Sequence, residues 1–341
     1  MTVTRKPRVV CLGEPKYVGN DYLAGFQEDF QYSVLPATNR AETQAMLPED
    51  IKQHGPIDAF IIRMGTPPYE PFDEDLLQAL APGCRIVTSA SAGFNEFDVE
   101  WMASRGMYFC NTVNAVAEAT ADMAVFLILA TLRNTTMAEK SARGGSWRAA
   151  ANLVPGRDPS GLTLGIVGMG SIGKYLAKKA TVFNMKIVYH NRSQLSGEEE
   201  SKYGATYCKT LDELLSRSDV VSLNCPLNAA TTGLIGEAQF AAMKDGAFLI
   251  NTARGAVIDE KALIAALESG KVARAGLDVF VNEPKPDPYF LQSDKVIIQP
   301  HLGGLTDVAF QKAERECFEN IRALFTTGTP NSPVNTPVVK S

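Results

Sequence analysis

Leu162-Thr163-Leu164-Gly165-Ile166-Val167-Gly168-Met169-Gly170-Ser171-Ile172-Gly173-Lys174 decides how this chain is read. The apolar, β-branched run Thr163 to Val167 leads straight into Gly168, Gly170 and Gly173. The residues that follow, Tyr175-Leu176-Ala177-Lys178-Lys179-Ala180-Thr181-Val182-Phe183, have helical spacing. Strand, tight turn and helix start are what a dinucleotide pyrophosphate requires. The first glycine turns the chain, the second lets backbone approach the phosphates, and the third packs helix on strand. The N–H groups of the helix then face the anion.

Nearly half of the 341 residues precede this fingerprint, enough for a second domain of ordinary size. Short apolar or β-branched runs predict strands at Arg8 to Leu12, Gln31 to Leu35, Ala59 to Ile62, Arg85 to Thr88 and Met107 to Cys110. Helical stretches lie between them near Arg40 to His54, Asp73 to Leu80 and Phe97 to Arg105. After the fingerprint the alternation resumes, with strands at Lys186 to Tyr189, Val220 to Leu223, Ala247 to Ile250, Arg274 to Leu277 and Val296 to Gln299. Thr210 with Glu213 three residues on has the capping-box pattern, and a helix from Asp259 to Ser269 stops at Gly270. Such alternation predicts an α/β protein with two Rossmann-like parallel-sheet domains. Two long helices mark the joints, one after Asn114 and one from about Thr306, where Phe310, Ala313, Cys317, Ile321 and Leu324 form a buried stripe. No strand-rich unit follows the last helix, so it is expected to fold back on the first domain. The cofactor domain, 114–305, would then be inserted into a split substrate domain, 1–113 and 306–341.

Composition narrows the function classes. A net charge of −5 offers no electrostatic case for nucleic acid or an anionic membrane. The longest apolar stretch, Met123 to Ala130 with Leu132 close by, is too short to span a bilayer and reads as a buried helix. Met1 to Pro7 has no apolar core of the secretory kind. The cysteines at 11, 84, 110, 208, 225 and 317 show no CxxC and no Cys/His cluster. Reduced thiols in a cytoplasmic protein are expected, without disulfides or a metal site.

Of the three histidines, His54 sits in a turn, His190 ends the strand after the fingerprint helix, and His301 follows the strand Val296 to Gln299. His301 is thus placed at the carboxyl edge of a sheet, where open α/β sheets bind ligands. Arg254 and Glu283 also follow predicted strands. A cation, a carboxylate and an imidazole at three strand ends are a catalytic constellation, although each alone could be structural.

Three ordered segments carry a family resemblance. Asn251-Thr252-Ala253-Arg254-Gly255, Gly276-Leu277-Asp278-Val279-Phe280 through Glu283-Pro284, and Pro300-His301-Leu302-Gly303-Gly304 resemble those bearing the catalytic arginine, glutamate and histidine of the D-isomer-specific 2-hydroxyacid dehydrogenases. The resemblance runs from about Arg85 to about Ala323. Two departures are visible: Asn184 where the family has Gly before Met185, and Gly304-Leu305 for a small polar pair. The resemblance implies a homodimeric oxidoreductase that interconverts a small 2-keto acid and a D-2-hydroxy acid. His301 would be its acid/base, Glu283 would orient the ring and favour its charged form, and Arg254 would offer its planar fork to the substrate. Substrate contacts would also come from Met64 and from backbone N–H groups at Ala92 and Gly93. Cofactor contacts would come from Gly168, Gly170, Ser171, Ile172, Gly173, Asn191, Arg192, Ser193, Cys225, Pro226, Thr231, Thr252, Ala253, Asp278 and Gly303.

The strand Lys186 to Tyr189 ends in His190-Asn191-Arg192-Ser193, with Asn191 where an NAD-specific site carries an acid. Without that carboxylate, and with Arg192 to pair a 2′-phosphate, NADP is expected to be preferred over NAD. Met64, Tyr69 and Phe94 would form an apolar wall for an aromatic or branched side chain, loosely as in the fungal D-mandelate dehydrogenase branch. Glyoxylate or hydroxypyruvate is the alternative substrate. A second functional class, an NAD(H)-sensing corepressor on the same fold, is disfavoured because the chain has no long disordered tail and no basic segment.

Overall fold

A computed structural model describes residues 5–148 and 154–338. The chain forms two compact units, 1–116 with 306–341, and 117–305. The division falls after the first turn of a long helix rather than at 113/114, where the sequence suggested it.

The first unit alternates β1 (Arg8–Leu12), α1 (Asn20–Gln27), β2 (Gln31–Leu35), α2 (Arg40–His54), β3 (Ala59–Ile62), α3 (Glu74–Leu77), β4 (Ile86–Ser89), α4 (Val99–Ser104) and β5 (Tyr108–Cys110). Its strands form one parallel sheet in the order β2-β1-β3-β4-β5. β1, β3 and β4 are wholly buried, as parallel strands covered on both faces must be, and such strands read in sequence as unbroken apolar runs.

From α5 (Val113–Arg133) the chain enters the second unit: α6 (Thr135–Arg143), β6 (Thr163–Val167), α7 (Ser171–Thr181), β7 (Lys186–His190), α8 (Gly197–Tyr203), β8 (Ala205–Tyr207), α9 (Leu211–Arg217), β9 (Val220–Leu223), α10 (Glu237–Ala242), β10 (Ala247–Asn251), α11 (Glu260–Ser269), β11 (Val272–Leu277), α12 (Pro288–Gln292) and β12 (Val296–Ile298). Seven parallel strands run in the order β12-β11-β10-β9-β6-β7-β8, a doubly wound sheet whose order reverses between β6 and β9. Side-chain alternation sorts its core into two layers. Leu164, Ile166, Phe248 and Ile250 pack with Ala121, Ala124, Leu127 and Ile128 of α5 and with Leu176 of α7. Val167, Val221, Leu223 and Leu249 pack on the other face with Leu214, Phe240 and Leu263. By length and composition alone, Asn114–Arg133 could cross a membrane, but 61% of its most apolar window is buried within the protein. It serves as a core helix, tied to β11 where Arg274 donates to the Thr131 carbonyl at 3.0 Å.

The last helix, α13 (Asp307–Thr327), returns to the first unit, where Ala313, Cys317, Phe318, Ile321 and Leu324 are buried. Glu314 on this helix is only 3% exposed and accepts the backbone N–H groups of Lys16, Tyr17 and Val18 at 3.0, 2.6 and 2.7 Å. One carboxylate thus fixes the loop after β1. Glu314→Ala would leave three N–H groups without a partner. It is expected to lose about 3 kcal/mol of stability in urea unfolding, with Glu314→Gln intermediate.

Several local expectations need correction. The stretch Asp73 to Leu80 is a single α-turn followed by a 3-10 turn, and Phe97 to Arg105 shortens to α4 behind the cap Asp98. Thr210 does cap α9 through the Glu213 N–H, but the Glu213 carboxylate reaches back to the N–H of Lys209 rather than Thr210, so the box is not reciprocal. Asn184, the departure noted before Met185, has φ 57°, a left-handed position that asparagine tolerates better than most residues.

Candidate active site

The glycine loop meets the requirements of a dinucleotide seat. Gly168 has φ 98°, and a Cβ there would lie 2.7 Å from the Cys225 nitrogen. A Cβ on Gly173 would lie 2.5 Å from the Gly168 carbonyl, so this third glycine brings α7 onto the loop. At Gly170 a Cβ would meet nothing within 4 Å, and among the described residues no side chain caps the N-terminus of α7. An open, uncapped helix start of this kind has room and N–H groups for a pyrophosphate. Ser171 and Ile172 open the helix itself.

The remaining candidates follow one another along the carboxyl edge of the sheet. Asn191, Arg192 and Ser193 follow β7, the glycine loop follows β6, and Cys225 and Pro226 follow β9. Next come Thr252, Ala253 and Arg254 after β10, Asp278 and Glu283 after β11, and His301 and Gly303 after β12. Five strand spacings of roughly 4.8 Å put the two ends of this row about 24 Å apart. A single molecule reaching both ends of this row would have to be elongated.

At the β12 end, His301 Nδ1 lies 2.7 Å from Glu283 Oε2, and the other Glu283 oxygen accepts the Phe280 N–H at 2.9 Å. Burial pushes the Glu283 carboxyl up. The His301 bond, the Phe280 N–H and the charges of His301 and Arg254 outweigh that effect and hold it below its ordinary value of 4.5. A carboxyl lowered in this way is ionised at neutral pH, and what it contributes is lost only as pH falls through its depressed pKa. The sequence therefore pointed to three residues, of which the structure bonds His301 to Glu283 and sets Arg254 where its charge acts on the same carboxylate. Arg254 itself follows an Asx turn, in which Asn251 accepts from the Ala253 N–H and donates to the Arg254 carbonyl.

His301 has φ 57°, a left-handed conformation that costs a non-glycine residue about 1–3 kcal/mol. Asp278 holds it there. The Asp278 carbonyl accepts the His301 N–H at 2.8 Å, and its carboxylate accepts the N–H groups of Leu302 and Gly303 at 2.7 and 2.8 Å. Asp278 is 1% exposed, and burial raises its pKa despite those bonds and the His301 charge.

Near the β7 end, Asn191 Oδ1 accepts the Met169 N–H at 2.6 Å and so latches the end of β7 to the glycine loop. Arg192 and Ser193 are exposed, with no partner among the described residues. His190 is structural: its Nδ1 meets the Cys208 carbonyl at 3.0 Å and its ring stacks on Tyr207. His54 is the exposed last residue of α2.

Three differences from the sequence expectation matter. Thr231 spends its hydroxyl inside its own turn, donating to the Pro226 carbonyl at 2.6 Å and accepting the Asn228 N–H at 2.8 Å. Tyr69 belongs to the core of the first unit, 2% exposed with its hydroxyl donating to the Ala37 carbonyl, so it cannot belong to an apolar wall. Met64 and Phe94 are half-buried on the loops after β3 and β4. Asn224, which the sequence reading passed over, accepts from Ser222 at 3.0 Å and donates to the Thr252 hydroxyl at 3.5 Å, and its backbone walls in Gly168. An asparagine directly after a predicted strand was its only signal. In the first unit Ala92 and Gly93 lie on the loop after β4, and their N–H groups have no partner among the described residues.

Known proteins place the chain in a family. The family model for the D-isomer specific 2-hydroxyacid dehydrogenase, NAD binding domain, matches residues 125–303. Dehydrogenase efuE of Hormonema carpetanum is 58% identical over 333 residues, covering 98% of this chain and 83% of that protein. A glyoxylate reductase from Paecilomyes thermophila superposes with a TM-score of 0.90 at 36% identity, over 97% of this chain and 99% of its own. The holo form of Rhodotorula graminis D-mandelate dehydrogenase has a TM-score of 0.90 at 34% identity, over 99% and 100%. With a doubly wound nucleotide unit, an imidazole–carboxylate pair at its sheet edge and these relatives, the chain belongs to the D-isomer-specific 2-hydroxyacid dehydrogenase family of nicotinamide-dependent oxidoreductases.

Proposed function

We propose that this enzyme reversibly reduces 2-keto acids with apolar side chains to D-2-hydroxy acids, with NADP(H) preferred. The 2.7 Å bond between His301 and Glu283, beside the charge of Arg254, carries the reading. With Nδ1 engaged by Glu283, Nε2 is the atom that hands a proton to the carbonyl oxygen and takes it back in oxidation. A nicotinamide dinucleotide held at the glycine loop would supply the hydride for the carbonyl carbon. The planar guanidinium of Arg254 offers parallel N–H groups to carboxylate or carbonyl oxygen. Asp278, which fixes the backbone of residues 301–303, would orient the carboxamide of the nicotinamide. In the first unit, the N–H groups of Ala92 and Gly93 offer a seat for the substrate carboxylate. Met64 and Phe94 supply apolar surface for its side chain.

A panel of phenylpyruvate, 2-ketoisocaproate, glyoxylate and hydroxypyruvate with NADPH tests this directly. Turnover of the first two with higher kcat/KM, and a D product on chiral analysis, is the expected result. Faster reduction of glyoxylate would move the assignment to the small-substrate branch. An L product would refute the stereochemical reading, and nucleotide binding without turnover of any keto acid would favour a sensor.

A further inference from the structure

The loop after β4 has a feature that the catalytic groups do not explain: at Ser91, Ala92 and Gly93 the carbonyls are taken, and the N–H groups of Ala92 and Gly93 have no partner among the described residues. The Ser91 carbonyl accepts the Thr112 N–H at 3.0 Å, the Ala92 carbonyl accepts the Asn111 side-chain amide at 2.6 Å, and the Gly93 carbonyl accepts the Ser91 hydroxyl at 2.9 Å. That hydroxyl is itself held against Ser89 at 2.8 Å. In a trans peptide the N–H points opposite the carbonyl it shares a plane with. Holding the Ser91 and Ala92 carbonyls therefore aims the N–H groups of Ala92 and Gly93 away from residues 111 and 112. Among the described residues nothing meets those two N–H groups, whereas loop N–H groups nearby such as Ala90 and Phe97 are paired.

We propose that Asn111 is a positioning residue for substrate recognition: its buried amide turns the Ala92–Gly93 peptide so that its N–H faces the carboxylate of the keto acid. This rests on the reading of Ala92 and Gly93 as the carboxylate seat. Asn111 is 6% exposed, and only its NH₂ group can face a carbonyl, because two acceptors would repel. An alanine would leave the Ala92 carbonyl without this donor, and an aspartate would set a second acceptor against it. Asn111 and Thr112 belong to the stretch between β5 and α5, so the seat is fixed by the residues through which the chain leaves this sheet.

Asn111→Ala and Asn111→Asp test the proposal through steady-state kinetics with a 2-keto acid, alongside NADPH binding by fluorescence. Seating the carboxylate is ground-state binding, so KM should rise about 10- to 100-fold with kcat within about threefold and NADPH affinity unchanged. Asn111→Asp, nearly identical in shape, should be the worse of the two. Asn111→Ser, which keeps a donor on a shorter arm, should fall between wild type and alanine. KM is read from the folded fraction only, so a less stable variant still reports. A wild-type KM in Asn111→Asp would overturn the proposal, because a packing role needs only the shape. Gly93→Pro, which deletes the N–H itself, separates the two levels. If it raises KM while the Asn111 variants do not, the positioning role is wrong and the seat stands. If Gly93→Pro leaves KM unchanged, the seat and the proposal fall together.

Discussion

Replacing His301 by glutamine is expected to lower kcat by about 10²–10⁴, the usual contribution of a positioned acid/base, while NADPH affinity changes by less than about twofold. The separation follows from how the residue is held. The contacts that fix the 301–303 backbone are N–H bonds to Asp278, and every one of them survives a change of side chain. The glycine loop that would seat the pyrophosphate follows β6, three strands away from β11, and shares no described contact with the imidazole. Glutamine can still reach toward Glu283, but it has no proton to give at the pH of the reaction. Glu283→Gln should be milder, about 10- to 100-fold, because the ring keeps a hydrogen-bond partner and loses only the charge that the lowered carboxyl pKa maintains. Single-turnover kinetics on both variants, with NADPH titrations as the control, measures each effect. Near-normal turnover in folded His301→Gln would remove His301 from the chemistry.

The parts of the fold legible in sequence were those whose determinants are local. β1, β3, β6 and β9 form at the expected residues, because a strand buried on both faces is a continuous apolar run. α11 is capped by Asp259 and stopped by Gly270, φ 79°, because cap and terminator are single residues with single jobs. What escaped depends on distant partners. α1 has a glycine at its cap position and no capping side chain. It is held by Phe26, which stacks on Phe30 at 4.4 Å and meets Phe318, nearly 300 residues away, edge-on at 4.8 Å. Only Ala205 is buried in the three-residue edge strand β8, so no pattern announces it. The site divides in the same way. His301, Glu283 and Arg254 stood out as charged groups just past predicted strands, and the order β10, β11, β12 in the sheet then makes them neighbours. Tyr69 looked like a loop aromatic until the Ala37 carbonyl claimed its hydroxyl, and Asn111 was silent because its role lies in a carbonyl nineteen residues earlier in the chain.

Cofactor choice should respond to two residues at the other end of the sheet. Wild type is expected to prefer NADPH to NADH by kcat/KM. No carboxylate follows β7 at position 191, and the adjacent Arg192 is exposed, with its guanidinium unpaired among the described residues. A charge-assisted contact from that guanidinium to a 2′-phosphate is worth roughly 1.5–3 kcal/mol, or about 10- to 150-fold. Arg192→Ala should therefore raise the KM for NADPH by about that factor and leave NADH nearly unchanged. Asn191→Asp should go further. Its carboxylate can still accept the Met169 N–H that Asn191 accepts at 2.6 Å, so the glycine loop keeps its latch. The added charge would repel a phosphate and accept the ribose hydroxyl of NADH, shifting preference through both an attraction and a repulsion. The distance along the sheet from Arg192 to His301, about 24 Å by strand count, means that kcat at saturating cofactor should not follow these changes. Steady-state kinetics with both nucleotides on the three proteins is sufficient. A wild-type preference for NADH, or an equal loss with both cofactors in Arg192→Ala, would show that this edge of the sheet binds ribose without reading its phosphate.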